Sequence, residues 1–244
     1  MDRTKPDQVA VDSPGFTALD FAQAPENLEL SADEVHLWLW RVDEAIAPRD
    51  ISSRARAHLL RLLGRYGGAV PPPLQRGEHG KPYLPEAGFP HFNLSHGGRC
   101  MLFAFSKEQE LGVDVDALAR RHAPLELARR FYAVEETRAL ERLDTEIQGP
   151  AFMRLWIGKE AVLKALGLGL SFGLHRLRFD LGPDGQAGAL QALDVADGST
   201  RDWQLHRFEP APGHAAALAW RGPALRIRGF HLDDANNVAV TQEQ

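Results

Sequence analysis

Two segments carry the residue types best able to do chemistry. They are Leu111-Gly112-Val113-Asp114-Val115-Asp116 and, downstream, Trp156-Ile157-Gly158-Lys159-Glu160-Ala161-Val162-Leu163-Lys164. On a strand, side chains two apart share a face, so Asp114 and Asp116 project together while Val113 and Val115 enter a core. On a helix, positions four apart are neighbours, which puts Glu160 and Lys164 on one face with Trp156 behind them. Hard cations such as magnesium take carboxylate oxygens, retain several waters and complete their shell with substrate phosphates. Asp114, Asp116 and Glu160 fit that ligand set. Lys159 and Lys164 are the ammonium groups available to neutralise charge on a phosphoryl group as it changes hands. Either segment alone favours a blander reading: Asp-x-Asp as a solvated loop or isolated ion pair, and the Glu-to-Lys spacing as helix support of about 0.2–0.5 kcal/mol.

The order of segments along the chain is more specific than any one of them. Gly80-Lys81-Pro82-Tyr83-Leu84 comes first, then Phe92-Asn93-Leu94-Ser95-His96, then the Asp114 segment, then Trp156 to Lys164. This order resembles the Sfp-type 4′-phosphopantetheinyl transferases, whose blocks run Gly-Lys-Pro, Asn-x-Ser-His, Gly-Val-Asp-x-Glu and Trp-x-x-Lys-Glu-x-x-x-Lys. The resemblance covers roughly residues 45 to 170. It departs at Asp116, where the family carries Glu. The side chain is one methylene shorter, which leaves contact with a metal through water as the alternative to direct ligation.

The resemblance implies magnesium-dependent transfer of the 4′-phosphopantetheine group from coenzyme A to a serine of an apo acyl or peptidyl carrier protein, with release of adenosine 3′,5′-bisphosphate. It implies metal ligation by Asp114, Asp116 and Glu160. Glu160, or a water it orients, would take the serine proton, and Lys164 would stabilise the leaving phosphate or assist proton transfer. Coenzyme A contacts would come from Arg49, Arg56, Lys81, Ser95, His96, Asp114, Lys159 and Lys164, with Lys159 on the pyrophosphate. Arginine suits bidentate phosphate contacts. Arg56 matches an arginine of the family's first helix, whereas Arg49 is only nearby and reads equally well as part of a basic solvent face. Lys81 lies in a turn, where a lysine is ordinarily solvated. Ser95 and His96 are adjacent on an extended chain and point to opposite faces, so they are badly placed as a nucleophile and its base. The family also implies an α+β fold of two similar halves packed as an intramolecular pseudo-dimer, with the active site in the cleft between them. The expected division is a loosely ordered arm over 1–30, a first half with the coenzyme A contacts over 31–110, and a second half with the metal site and catalytic helix over 111–244. Such an internal pseudo-dimer lets a monomer suffice. Carrier proteins are acidic in general, so Arg129, Arg130 and Arg138 are candidates for a basic docking patch.

The elements that must position these residues follow from periodicity and breakers. Val35 to Val42 alternates with apolar residues on both faces and predicts a strand. Ile51 to Tyr66 has Leu59, Leu62 and Leu63 at helical spacing, with Gly67-Gly68 as its stop. His91 to Leu94 and Cys100 to Ser106 predict a hairpin around Gly97-Gly98. Helices are predicted over 124–132, 134–143 and 152–166, and strands over 174–181, 203–208, 215–220 and 225–232.

Composition bounds the remainder. The chain has 244 residues, 25% charged and 44% hydrophobic, as expected of a globular protein with a substantial core. A formal net charge of −5 carries no electrostatic footprint of nucleic-acid binding. The single Cys100 has no internal disulfide partner. The first fifteen residues lack the apolar core of a secretory signal and no stretch reaches membrane-spanning length, so a cytoplasmic location is expected. Two other functions fit the same carboxylates. One is a metal-dependent phosphohydrolase acting on coenzyme A, and the other is a non-catalytic coenzyme A or carrier-binding module.

Overall fold

The structure, a computed structural model, describes residues 19–119, 123–195 and 198–234. In chain order its elements are β1 (Phe21–Ala22), β2 (Glu34–Arg41), α1 (Pro48–Gly67), β3 (Gln75–Arg76), β4 (Pro82–Tyr83), β5 (His91–Gly97), β6 (Cys100–Ser106) and β7 (Leu111–Ala117). There follow α2 (Pro124–Phe131), α3 (Val134–Glu141), α4 (Thr145–Leu166), β8 (Leu177–Leu181), β9 (Ala187–Leu193), β10 (Trp203–Phe208), β11 (His214–Arg221) and β12 (Arg226–His231). Two short 3-10 turns, Leu170–Phe172 and Leu174–Arg176, lie between α4 and β8. The strands form a five-stranded sheet in the order β1-β12-β2-β6-β5, a three-stranded sheet β10-β11-β7, and the separate pairs β3-β4 and β8-β9.

The two-sided apolar load of β2 explains the layering. Trp38 and Trp40 pack with Leu59, Leu62 and Leu63 of α1 on one face of the larger sheet. Val35, Leu37 and Leu39 face the other way, against Val113 and Val115 of β7 and Leu218 of β11. The far side of the smaller sheet offers Ala215, Ala217 and Ala219 to α4. The sequence of layers is therefore α1, sheet, sheet, α4. Helix α1 starts at Pro48, earlier than Ile51, because a proline in the first turn lacks only an N–H that would have no helical partner anyway. It stops where Gly68 takes a left-handed φ of 66°.

Four expectations about the elements are corrected. Helix α4 begins at Thr145 rather than 152 and tolerates Pro150 inside, which forfeits one backbone hydrogen bond. Strand β9 was absent from the expected elements because its alanines and glycine have low β-propensity. The arm expected over 1–30 lies outside the described residues up to 18, but from Leu19 onward it is not loose. Strand β1 pairs in parallel with β12, and Leu28 is buried. The expected second half, 111–244, does not stay together either: β12 crosses back and inserts between β1 and β2, parallel to both. Its Phe230 joins the apolar face under α1, and that burial is what draws it there.

The two sheets meet where edge strand β5 runs beside edge strand β7. An unpaired strand edge in a protein interior leaves backbone groups that must find partners. Side chains supply them. Asn93 Oδ1 accepts the Val113 N–H at 2.9 Å, Ser95 Oγ accepts the Val115 N–H at 3.4 Å, and Lys81 Nζ donates to the Leu111 carbonyl at 3.2 Å. Gly97 completes the approach, since a Cβ there would fall 2.5 Å from the Asp116 Cα. Asn93→Ala is expected to leave the buried Val113 N–H without a partner and to lower stability by about 1–3 kcal/mol. Chemical denaturation checks this, and an unchanged midpoint would refute the side-chain stitching of this edge.

Candidate active site

The site is built where β7 passes under the last turns of α4. Leu111, Val113 and Val115 enter the inter-sheet core, so Gly112, Asp114 and Asp116 take the opposite face, toward α4. Gly112 is required for that contact, because a Cβ there would lie 2.1 Å from the Ala161 carbonyl oxygen and 2.3 Å from the Ala165 nitrogen. With Ala215, Ala217 and Ala219 alongside, the helix settles directly onto backbone. Helix α4 ends at Gly167, in the left-handed region at φ 70°, so Glu160 and Lys164 occupy its last two turns. The carbonyl end of the helix dipole favours the Lys164 cation and disfavours a carboxylate on Glu160.

Lys164 is fully engaged. Its Nζ donates to Asp114 Oδ1 at 2.7 Å, Ser95 Oγ at 2.9 Å and the Val113 carbonyl at 3.2 Å, which uses all three of its donors. The Ser95 hydroxyl in turn donates to Asp114 Oδ1 at 2.7 Å. Asp114 and Asp116 are both buried, and Asp116 Oδ1 accepts the Ala117 N–H at 2.8 Å. Glu160 is the exception in this cluster, since its Oε1 is buried and has no hydrogen-bond partner among the described residues. Burial, then the neighbouring charge of Asp114, pushes its carboxyl up to about 7, against the opposing pull of Lys164.

A buried carboxylate oxygen without a donor, facing a second carboxylate, is the environment a hard cation relieves. Asp114, Asp116 and Glu160 therefore fit a magnesium ion by chemistry. Among the described residues, however, no three His, Cys, Asp or Glu side chains come together as a group that could hold a metal ion by itself. The donor set suits an open site that substrate oxygens would complete.

The structure brings together Asp114, Ser95, Glu160 and Lys164, with Asp116 two residues along the same face of β7, and it separates Lys159 from them. Lys159 is fully buried on another side of α4. Its Nζ makes an ion pair with Glu136 Oε2 at 2.8 Å and donates to the carbonyls of Leu174, at 2.9 Å, and Leu177. Contact between Lys159 and a pyrophosphate is thereby corrected: the side chain starts 100° around the helix from Glu160 and all its donors are taken. Burial pushes Glu136 up and Lys159 down, each toward its neutral form, while the opposite charge of the partner resists both shifts. Lys81 is held by Glu110 Oε2 at 2.6 Å as well as by the Leu111 carbonyl. His96 is exposed, and β5 alternation turns it away from Ser95. Arg49 and Arg56 are exposed on α1, and among the described residues no hydrogen bond or ion pair joins them to the carboxylates. Sequence reasoning missed Glu136 as a member of this region. Its signal was its place at the third position of α3, where its carboxylate accepts the Ala133 N–H at 3.2 Å in half of a capping box.

Fold and site together define an α+β protein with an open carboxylate and ammonium centre suited to a cation and phosphate oxygens. A family model described as the 4′-phosphopantetheinyl transferase superfamily matches residues 110–219, which span β7 to β11 and include the whole of α4. The 4′-phosphopantetheinyl transferase HetI of Nostoc is 31% identical over 237 residues, covering 85% of this chain and 96% of that protein. The 4′-phosphopantetheinyl transferase Sfp of Bacillus subtilis is 33% identical over 146 residues, 60% of this chain. The chain spans 62% of the length of Sfp, and 58% of a Synechocystis relative to which it is 38% identical. The chain belongs to the 4′-phosphopantetheinyl transferase superfamily.

Proposed function

We propose that this protein transfers 4′-phosphopantetheine from coenzyme A to a serine of an apo acyl or peptidyl carrier protein, in a magnesium-dependent reaction that releases adenosine 3′,5′-bisphosphate. The observation that carries this reading is the unpartnered, buried Glu160 Oε1 beside Asp114 and Lys164. Asp114 and Glu160 would hold the magnesium, with Asp116 reaching it directly or through water. When bound, the ion supplies neutralisation of charge on the pyrophosphate. Glu160, or a water it orients, accepts the proton of the attacking serine. Lys164 would stabilise the leaving phosphate by its charge, or donate to it by giving up one of its three present partners, Asp114, Ser95 or the Val113 carbonyl. Ser95 and Asp114 hold Lys164 in place.

Arg49, Arg56 and His96 are exposed and remain the proposed coenzyme A contacts. Lys81 and Ser95 contribute by keeping β7 and Lys164 in position, with one Lys81 donor left for the nucleotide. Arg129, Arg130 and Arg138 are exposed near the site's half and suit an acidic carrier, although Arg129 already pairs with Glu141 at 2.8 Å. The proposed architecture is a pseudo-dimer of two α+β halves acting as a monomer in the cytoplasm. It is supported by the pairing of one long helix with each sheet, α1 with the larger and α4 with the smaller. No helix among the described residues is long and apolar enough to cross a membrane.

The test is intact mass spectrometry of an apo carrier protein incubated with this protein, coenzyme A and magnesium, beside a chelated control. A metal-dependent gain of one phosphopantetheine unit is expected. Consumption of coenzyme A with the carrier unchanged would replace transfer with hydrolysis. Binding without any product, across several carriers, would leave only a binding module.

A further inference from the structure

The ion pair between Lys159 and Glu136 stands one residue from Glu160 and takes no part in the site described above. It joins α4 to α3 and to β8, two of the elements that brace it on the side away from β7. Glu136 Oε2 receives Lys159 Nζ at 2.8 Å and the Ala133 N–H at 3.2 Å, and Glu136 Oε1 receives the Phe179 N–H at 2.8 Å. Lys159 also binds the carbonyls of Leu174 and Leu177, which lie in the turn leading into β8 and at its first residue. One ammonium on α4 thus ties together the start of α3, the turn before β8 and the strand itself. The two side chains are both wholly removed from solvent, and the Tyr132 ring lies 5.0 Å from Lys159 Nζ.

Stability alone does not account for such a pair, because a buried ion pair is often no better than apolar side chains of the same volume. What it does provide is orientation. Gly112 fixes how near α4 comes to β7, but small residues such as Gly112, Ala215, Ala217 and Ala219 present a smooth face that does little to fix rotation about the helix axis. The multiply bonded Lys159 fixes that rotation from the opposite side. Glu160 depends on it most, since its buried Oε1 has no partner of its own to hold it toward Asp114.

We infer that Glu136 and Lys159 are positioning residues that set the rotation of α4 and so aim the Glu160 carboxylate at the cation it shares with Asp114. This rests on the metal role of Glu160 proposed above. The test compares wild type with the apolar pair Glu136→Leu/Lys159→Met, using Mn2+ alone as probe. Mn2+ affinity is followed by electron paramagnetic resonance, thermal stability by melting without metal, and kcat by carrier mass spectrometry. The expected result is a double variant that melts below wild type, because the Ala133 and Phe179 N–H groups and the Leu174 and Leu177 carbonyls lose their partners, and that in its folded form binds Mn2+ about 10–100-fold more weakly, with kcat reduced in parallel. Wild-type Mn2+ affinity in a folded double variant would overturn the inference, since a merely structural pair would cost stability and leave the affinity unchanged. If the double variant does not fold, Glu136→Asp decides. It keeps the charge but draws Lys159 one methylene toward α3, and several-fold weaker Mn2+ binding is expected, whereas an unchanged affinity overturns the inference. Wild type that binds Mn2+ but modifies no carrier would sink the transferase reading and leave the positioning inference to be judged on affinity. Wild type that binds no Mn2+ would remove the inference itself.

Discussion

Glu160→Gln is expected to abolish metal-dependent transfer and, in the same protein, to raise the melting temperature at pH 8 when metal is withheld. The folded protein holds the Glu160 carboxyl at about 7, above its ordinary 4.5. Between those two values the folded state retains a proton that the unfolded state has released. Stability then falls as pH rises through that window, the reverse of a carboxylate whose pKa is lowered by folding. The destabilisation is complete above pH 7 and amounts to at most about 3 kcal/mol, less whatever solvent screening reaches the carboxyl. Glutamine keeps the shape, cannot ionise and removes that cost, so melting should rise by several degrees at pH 8 and hardly at all near pH 4. It cannot supply the anionic ligand or accept the serine proton, so turnover is lost. The same shift predicts that metal binding to wild type releases a proton below pH 7, with apparent affinity falling about tenfold per pH unit there. Paired melts of wild type and Glu160→Gln at pH 4 and pH 8 with chelator decide the point. A variant no more stable than wild type at pH 8 would mean that the carboxylate already has its charge satisfied without a cation.

This trade of stability for a site is the physical reason that part of the protein was legible from sequence and part was not. The Asp114 and Asp116 pair, and the shared face of Glu160 and Lys164, follow from local periodicities that neighbouring structure does not alter. Lys159 belongs to the same segment, and helix spacing already turns it 100° from Glu160, but its partner Glu136 is distant in the chain and gives no periodic signal. Ser95 illustrates the same limit at closer range. Its place in a motif is plain, whereas its use, as acceptor for the Val115 N–H and as a prop for Lys164, depends on two sheets meeting at the β5 and β7 edges. Strand β12 was legible as a strand, but its return to the first sheet is a long-range pairing that only burial of Phe230 and Ile227 decides. In each case the element was written locally and its partner was not.

Gly112→Ala is expected to collapse the site by steric means, while the same change a helix away should stabilise the protein. At Gly112 the added Cβ would meet the Ala161 carbonyl oxygen at 2.1 Å, the Ala165 nitrogen at 2.3 Å and the Lys164 Cβ at 2.8 Å. Two of those atoms are helix backbone and cannot rotate aside, so α4 itself must retreat from β7. Overpacking relieved by side-chain movement costs about 1–3 kcal/mol. A displaced helix adds the loss of its apolar contacts over β11, which puts the total above about 3 kcal/mol in a fold whose whole margin is about 5–15 kcal/mol. Any folded remainder would carry Glu160 and Lys164 away from Asp114 together, so transfer is lost even where protein survives. Gly158 is the matched control. It lies in α4, a Cβ built there would meet only the Phe179 ring at 3.7 Å and Arg207 Nε at 3.9 Å, both ordinary contacts, and Ala at that position should add about 0.5–1 kcal/mol by helix propensity. Denaturation midpoints of the two variants should therefore move in opposite directions from wild type. If Gly112→Ala were to match wild type in midpoint and turnover, the close seat of α4 on β7 could not be what joins the lysine and glutamate of one element to the aspartates of the other.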